Sequence, residues 1–264
     1  MPNVFRALWL YRAFITESVF REFQSKYRRS LLGAAWSVLN PLALILVYTL
    51  IFSNVMKARL PGVDSIYGYS IHLCAGILTW GLFSEITSRA QTVFIENAAL
   101  LKKMSFPRLC LPVIVVLNAG LNFAIIFGLF LGFLVLTGNF PGWPVLALFP
   151  LLVIEAGFAI GLGISLGVLN VFFRDVGQGF NVVLQFWFWL TPIVYPLSVL
   201  PENWRGVVEL NPMASLVQGY QDVLVRGEWP SWVKLWPVVA LAVLACLLGF
   251  ALFRRRAGEL VDEL

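Results

Sequence analysis

From Leu109 to Phe172 the chain carries a single charged side chain, Glu155. An apolar helix crosses a bilayer in about 20 residues, so this stretch holds about three such lengths. No water-soluble fold of ordinary size can hide it. The rest of the chain agrees: of 264 residues, 59% are hydrophobic and 12% charged, against about 25% charged in an average soluble domain. The expected fold class is therefore an all-α polytopic membrane protein.

Six spans are predicted, at about 31–52, 69–87, 109–136, 145–172, 179–194 and 233–253. Asn40-Pro41 falls within the first, where proline favours a kink. The third and fourth are long enough to tilt or project. Between them, residues 137–144 are rich in Gly and Pro and read as a tight turn. Ahead of the spans, residues 4–27 place Leu8, Ile15, Val19 and Phe23 on one arc of a helix, with Arg6, Glu17, Arg21 and Gln24 opposite. That pattern predicts an amphipathic helix in the headgroup plane over residues 1–30. A helix packed on other cytosolic structure would show the same pattern. Glu22 and Lys26 fall on the wrong arc. Charges throughout the first 30 residues leave no clean signal-peptide core, so the first span is expected to act as the insertion signal.

Six spans put both termini on one side. Taking that side as cytoplasmic assigns fourteen of the nineteen Lys and Arg residues to it, so the positive-inside rule predicts N-in, C-in. The formal net charge of +5 is then a topology signal, and no nucleic-acid partner is implied. The bilayer itself is the expected surrounding.

The missing residue types narrow the chemistry. No G-x-x-x-x-G-K-[ST] loop is present, so the chain has no recognisable site for hydrolysing ATP. His72 is the only histidine, and Cys74, Cys110 and Cys246 are widely separated; neither a metal site nor a disulfide framework is expected. Ion-coupled carriers rely on intramembrane acids and bases, and Glu155 is the one carboxylate deep in an apolar run, with Glu85 and His72 nearer span ends. Glu155 reads either as a polar contact in a conduit or interface, or as a residue near the outer headgroups. Active transport would have to draw energy from another chain. An ion-coupled secondary transporter is the competing reading. A membrane-embedded enzyme of glycolipid synthesis is a third, although Glu85, Glu96 and Asp175 are too dispersed to form its site.

Three segments are candidates for function. Residues 96–108 contain Asn97, Leu100, Leu101, Lys102 and Lys103 before Pro107. Asn97 can cap a short helix whose apolar side docks on a soluble partner; a loop holding positive-inside charges is the alternative. Trp187, Trp189 and Tyr195 lie in an aromatic run that would stack on sugar rings or form an interfacial belt, and Pro192 and Pro196 should break the helix there. Glycines at 157, 161, 163 and 167, and at 128 and 132, permit close helix approach, within the chain or between copies.

Several of these stretches occur together in one family. Tyr27 through Gly33, Trp36, Asn40-Pro41, Glu96-Asn97, Lys102-Lys103, Phe106-Pro107-Arg108, Phe173 through Val176, Thr191 through Pro196 and Asn211-Pro212 resemble, in order and over some 190 residues, the membrane subunit of ABC-2-type polysaccharide exporters. The O-antigen branch is the nearest, with capsule and teichoic-acid permeases as relatives. The resemblance implies a homodimer working with two copies of a separate ATPase, which binds ATP and Mg; this chain would hold no cofactor and catalyse nothing. The cargo implied is a lipid-linked polysaccharide crossing the bacterial inner membrane. It further implies an ATPase-coupling helix at Asn97 to Lys103, a periplasmic gate region at 197–230 and a substrate entrance at the N-terminal helix. Arg28 and Arg29 would there attract a diphosphate, and Trp187, Trp189 and Tyr195 would guide sugars.

Overall fold

The computed structural model describes residues 6, 8–27, 35–55, 60, 63, 65–103, 106–256, 258–259 and 263. Arg28 and Arg29 lie outside the described residues. Among the described residues every regular element is helical. Helix α1 is Arg12–Tyr27. Helix α2, Trp36–Thr49, contains Pro41 and widens into a π-type turn over Leu50–Val55. Next come α3, Gly68–Glu96, the short α4, Ala98–Lys103, and α5, Cys110–Leu136. A 3-10 turn, Trp143–Ala147, leads into α6, Leu148–Phe172, which is followed by α7, Asp175–Leu190. Helix α8, Glu202–Glu209, and helix α9, Pro212–Gln221, precede a second π-type turn, Asp222–Arg226, and the final α10, Trp232–Arg256.

Among the described residues three helical stretches are long and apolar enough to cross a membrane: Cys110–Leu136, Trp143–Phe172 and Trp232–Arg256. They coincide with the expected third, fourth and sixth spans. Val38–Phe52 is a shorter apolar helix within the expected first. Helices α3 and α7 overlap the expected second and fifth spans with other bounds, and neither is among the stretches long and apolar enough to cross. Helix α3 does not stop where its apolar run ends at Thr87 but continues to Glu96. The polar stretch still places Ala90, Val93 and Phe94 at helical spacing, and these are buried against Leu111, Val115, Val168 and Phe253. At 29 residues and 1.5 Å per residue, α3 is about 44 Å long and exceeds the hydrocarbon thickness. Helix α7 begins at Asp175, earlier than expected, with that carboxylate in its first turn, where the helix dipole favours it. It ends at Leu190 because Thr191, held extended by Pro192 (φ −101°, ψ 133°), cannot continue a helix. The turn expected over 137–144 forms, with Gly138 and Gly142 both at φ 72°.

Helix α3 is the hub: it touches α2, α4, α5, α6, α7 and α9. Helix α6 packs chiefly on α3 and α10, and its glycines divide between those two neighbours. A Cβ on Gly163 or Gly167 would run into Ala90 of α3, and one on Gly161 into the backbone at Ala245 and Cys246 of α10. Gly249 of α10 returns the contact, its Cβ position lying 2.6 Å from the Gly161 carbonyl oxygen. Close approach of this kind is what small residues permit between membrane helices. Gly128, Gly132 and Gly157 have nothing within 4 Å of the corresponding position, so a Cβ there would meet no neighbour within the chain, although the Gly157 carbonyl accepts from the Cys246 thiol at 3.1 Å.

Candidate functional site

At one end of the bundle the turn between α3 and α5 carries α4. Asn97 closes α3 with its side chain instead of capping α4: the side-chain amide donates to the Val93 carbonyl (2.8 Å). Its own carbonyl accepts from Leu100 and Leu101 N–H (3.0 and 2.9 Å), which starts the short helix. Leu101 is buried in the cluster with Phe94 and Leu111, and Leu100 packs on its edge. Lys102 and Lys103 are exposed. The apolar side of α4 therefore grips the chain itself, and the lysines are its outward surface.

Helix α1 lies beside this turn. Ile15 and Val19 are buried on Cys110 and Ile114 of α5, and Phe14 meets Phe106 with ring centroids 5.2 Å apart. Trp9, Leu10 and Phe20 remain exposed. The apolar arc thus divides, part docking on the protein and part facing outward. Glu22, misplaced for a helix lying freely on a membrane, is accounted for: it pairs with Arg89 of α3 and accepts from the Asn118 amide of α5. Arg89 is shared with Glu85, 3.6 Å away on the preceding turn.

At the other end, the aromatic run splits by direction. Trp187 is half-buried, edge-on to Phe83 (5.3 Å) and Trp80 (6.2 Å), and its indole N–H donates to Asn211 Oδ1 at 2.7 Å. Trp189 is 61% exposed, on the same outward face as Val182, Val183 and Phe186. The Tyr195 hydroxyl donates to the Trp189 carbonyl at 2.9 Å, bracing the chain after the helix break. Asn211, named above only for the resemblance, is the centre of this joint. Its Oδ1 also accepts from Met213 N–H (3.0 Å) and so caps α9, and its amide reaches Thr191 Oγ1 (3.0 Å). Asn followed by Pro is an N-cap and first-turn signature, which is the signal that marks it.

Glu155 is fully buried between α6 and α9, accepting from the Tyr220 hydroxyl at 2.7 Å. One residue on, the Gln221 amide approaches His72 Nε2 (3.3 Å) and donates to the Pro192 carbonyl (3.3 Å). These polar contacts lock α9 and the Thr191–Pro196 break onto α3 and α6. They open into a small cavity of about 90 Å³ that includes Asp222 and Arg226. Burial pushes the Asp222 carboxyl above the usual carboxylate range, with Arg226, 3.2 Å away, opposing the shift. No group of three or more His, Cys, Asp or Glu side chains able to hold a metal occurs among the described residues.

Long apolar helices, a short basic turn helix on one end and a break with two small helices on the other are the features of a polytopic helical membrane domain. The chain belongs to the ABC-2 type transporter family, whose profile it matches over residues 15–225. It is 32% identical to an O-antigen export system permease protein of Myxococcus xanthus over the whole length of both chains. It is also 31% identical to one of Klebsiella pneumoniae over 78% of each. A polysialic acid transport protein of Escherichia coli is 21% identical over 94% of this chain and 95% of its own.

Proposed function

We propose that the chain is the permease subunit of an ATP-driven exporter that carries a lipid-linked polysaccharide, of the O-antigen type on a polyprenyl diphosphate, across the bacterial inner membrane. The observation that carries this reading is the end-to-end similarity to an O-antigen export permease. The more distant similarity to a polysialic acid transporter keeps a capsule-type polymer as the alternative cargo. Ion coupling is not favoured, since membership of the ABC-2 type transporter family supports ATP as the energy source.

In this reading two copies of the chain form the conduit, each crossing the membrane six times with both ends cytoplasmic. Two ATPase subunits, holding ATP and Mg, sit beneath α4. Lys102 and Lys103 meet the ATPase, and Leu100 and Leu101 pass its movement to α3 and α5, on which they are packed. Cargo enters beside α1, where Arg28 and Arg29 attract the diphosphate, and leaves past the gate formed by residues 197–230. Exposed Trp189 and neighbouring Tyr195 stack weakly on successive sugars, which suits a polymer that must slide. Trp187 supports that surface from behind.

The test is an export assay in a host lacking its own O-antigen permease. Chain and cognate ATPase together restore glycan at the cell surface, and neither does so alone. Export with the ATPase withheld, or ATP hydrolysis by the purified chain by itself, would sink the proposal.

A further inference from the structure

A groove of about 390 Å³ runs between α2, α3 and α5, with an almost wholly apolar lining. Along α3 it extends from Cys74 to Glu85. Eleven residues of helix rise about 16 Å, close to half of the roughly 30 Å hydrocarbon core, which is the depth of one leaflet. Its floor at Gly81 is open, with nothing within 4 Å of where a Cβ would stand. One end is polar, formed by Glu85, Asn122, Asn40 and Trp36. Among the described residues of the lining, Glu85 is the one charged side chain. The Asn122 amide donates to it at 3.1 Å. Arg89, behind it, is divided between Glu85 and Glu22, so among the described residues two carboxylates share one guanidinium and Glu85 is only partly neutralised.

We infer that this groove holds one phospholipid of the ethanolamine class, its acyl chain lying along Gly81 and its ammonium group against Glu85. The length fits a single-leaflet chain. The charge at the polar end selects an ammonium and repels an anionic headgroup or a polyprenyl diphosphate. The groove is thus a site for a resident membrane lipid, apart from the cargo path. The inference rests on the membrane reading of the chain, and its test contains no export step, so it fails separately from the proposed function.

The full-length chain is purified in mild detergent and titrated with phosphatidylethanolamine, phosphatidylglycerol and polyprenyl phosphate under native mass spectrometry. The wild type retains one phosphatidylethanolamine per chain, about tenfold more tightly than phosphatidylglycerol, as one charge-assisted contact would give. Gly81→Leu, which fills the open floor, loses that adduct while helix content by circular dichroism matches the wild type. Glu85→Gln keeps a lipid but brings the two phospholipids to similar affinity. An unchanged adduct in folded Gly81→Leu overturns the inference. So does an unchanged preference in Glu85→Gln, which decides the matter if Gly81→Leu does not fold. Retention of no lipid by the wild type, or preference for either anionic lipid, overturns it as well.

Discussion

The indole N–H of Trp187 donates to Asn211 Oδ1 at 2.7 Å, and that same oxygen caps α9 by accepting from Met213 N–H. A side chain of the aromatic run is thereby built into the joint between α7 and α9. Trp187→Phe keeps the ring among Trp80, Phe83 and Phe158 but removes the donor, and should cost about 1 kcal/mol, the net worth of a neutral hydrogen bond. Asn211→Ala removes the cap too and should cost more, about 2 kcal/mol. Thermal unfolding in detergent should rank wild type above Trp187→Phe above Asn211→Ala, with Trp189→Ala level with the wild type. A Trp187→Phe variant with wild-type stability and impaired export would instead put Trp187 in contact with cargo.

Part of this arrangement was readable in advance. Residues two apart on a helix point about 200° from one another, so Trp187 and Trp189 cannot share a face; the same spacing sends Gly161 to α10 and Gly163 to α3. Which of each pair points inward is not periodic information. Helix α7 is apolar around most of its circumference, so the choice comes from what Phe83 and Asn211 offer across the gap. The long apolar helices were legible because uncharged length has few uses outside a membrane. The end of α3 was not, because residues 88–96 mix polar and apolar types and their helicity is settled by burial of Ala90, Val93 and Phe94. Glu22 looked like noise on a membrane-facing arc. Only the positions of Arg89 and Asn118 turn it into a partner.

The glycines of α6 and α10 make a sharp contrast with those of α5. Gly249→Val would drive a side chain into the Gly161 carbonyl, backbone against which nothing can yield. Such overpacking costs about 1–3 kcal/mol or more, and the variant should be lost from the monodisperse fraction on size exclusion. Gly128→Ala and Gly132→Ala meet nothing within the chain and should elute as the wild type does. A change in oligomeric state on either of these two would show that α5 contacts another copy.

The two sides of α4 should separate fold from coupling. Lys102→Glu with Lys103→Glu alters only exposed groups and should leave the unfolding midpoint unchanged while weakening ATPase association, the loss being greatest at low salt. Leu101→Asp puts a carboxylate into the cluster of Phe94 and Leu111 and should reduce the folded yield itself. Pull-down of the ATPase at two ionic strengths, beside thermal unfolding of the chain alone, distinguishes the two effects.

Glu22 and Arg89 join α1 to the hub helix, but both side chains keep substantial solvent contact, 44% and 32% exposed. A double-mutant cycle with Glu22→Gln and Arg89→Gln should therefore return a coupling energy of only about 0.2–1 kcal/mol. The consequence of breaking the pair should be positional. A spin label at exposed Phe20 should broaden its distance distribution to α5 in Glu22→Gln. An unbroadened distribution would mean that Ile15 and Val19 hold α1 by themselves.

Glu155 separates a structural carboxylate from an ion-coupling one. Its side chain is fully buried and accepts from the Tyr220 hydroxyl. Glu155→Gln preserves volume and an acceptor oxygen, so the contact to α9 survives and export should stay close to the wild-type rate. Glu155→Leu strands the Tyr220 hydroxyl in an apolar interior, at a cost of about 1–3 kcal/mol, and should lower the unfolding midpoint. Tyr220→Phe leaves the Glu155 carboxyl without its donor and should also lower the unfolding midpoint. A carrier that used Glu155 to bind a proton or metal ion would show the reverse pattern, with transport abolished in Glu155→Gln and stability intact. Measuring export and unfolding on the same three variants tells the two roles apart.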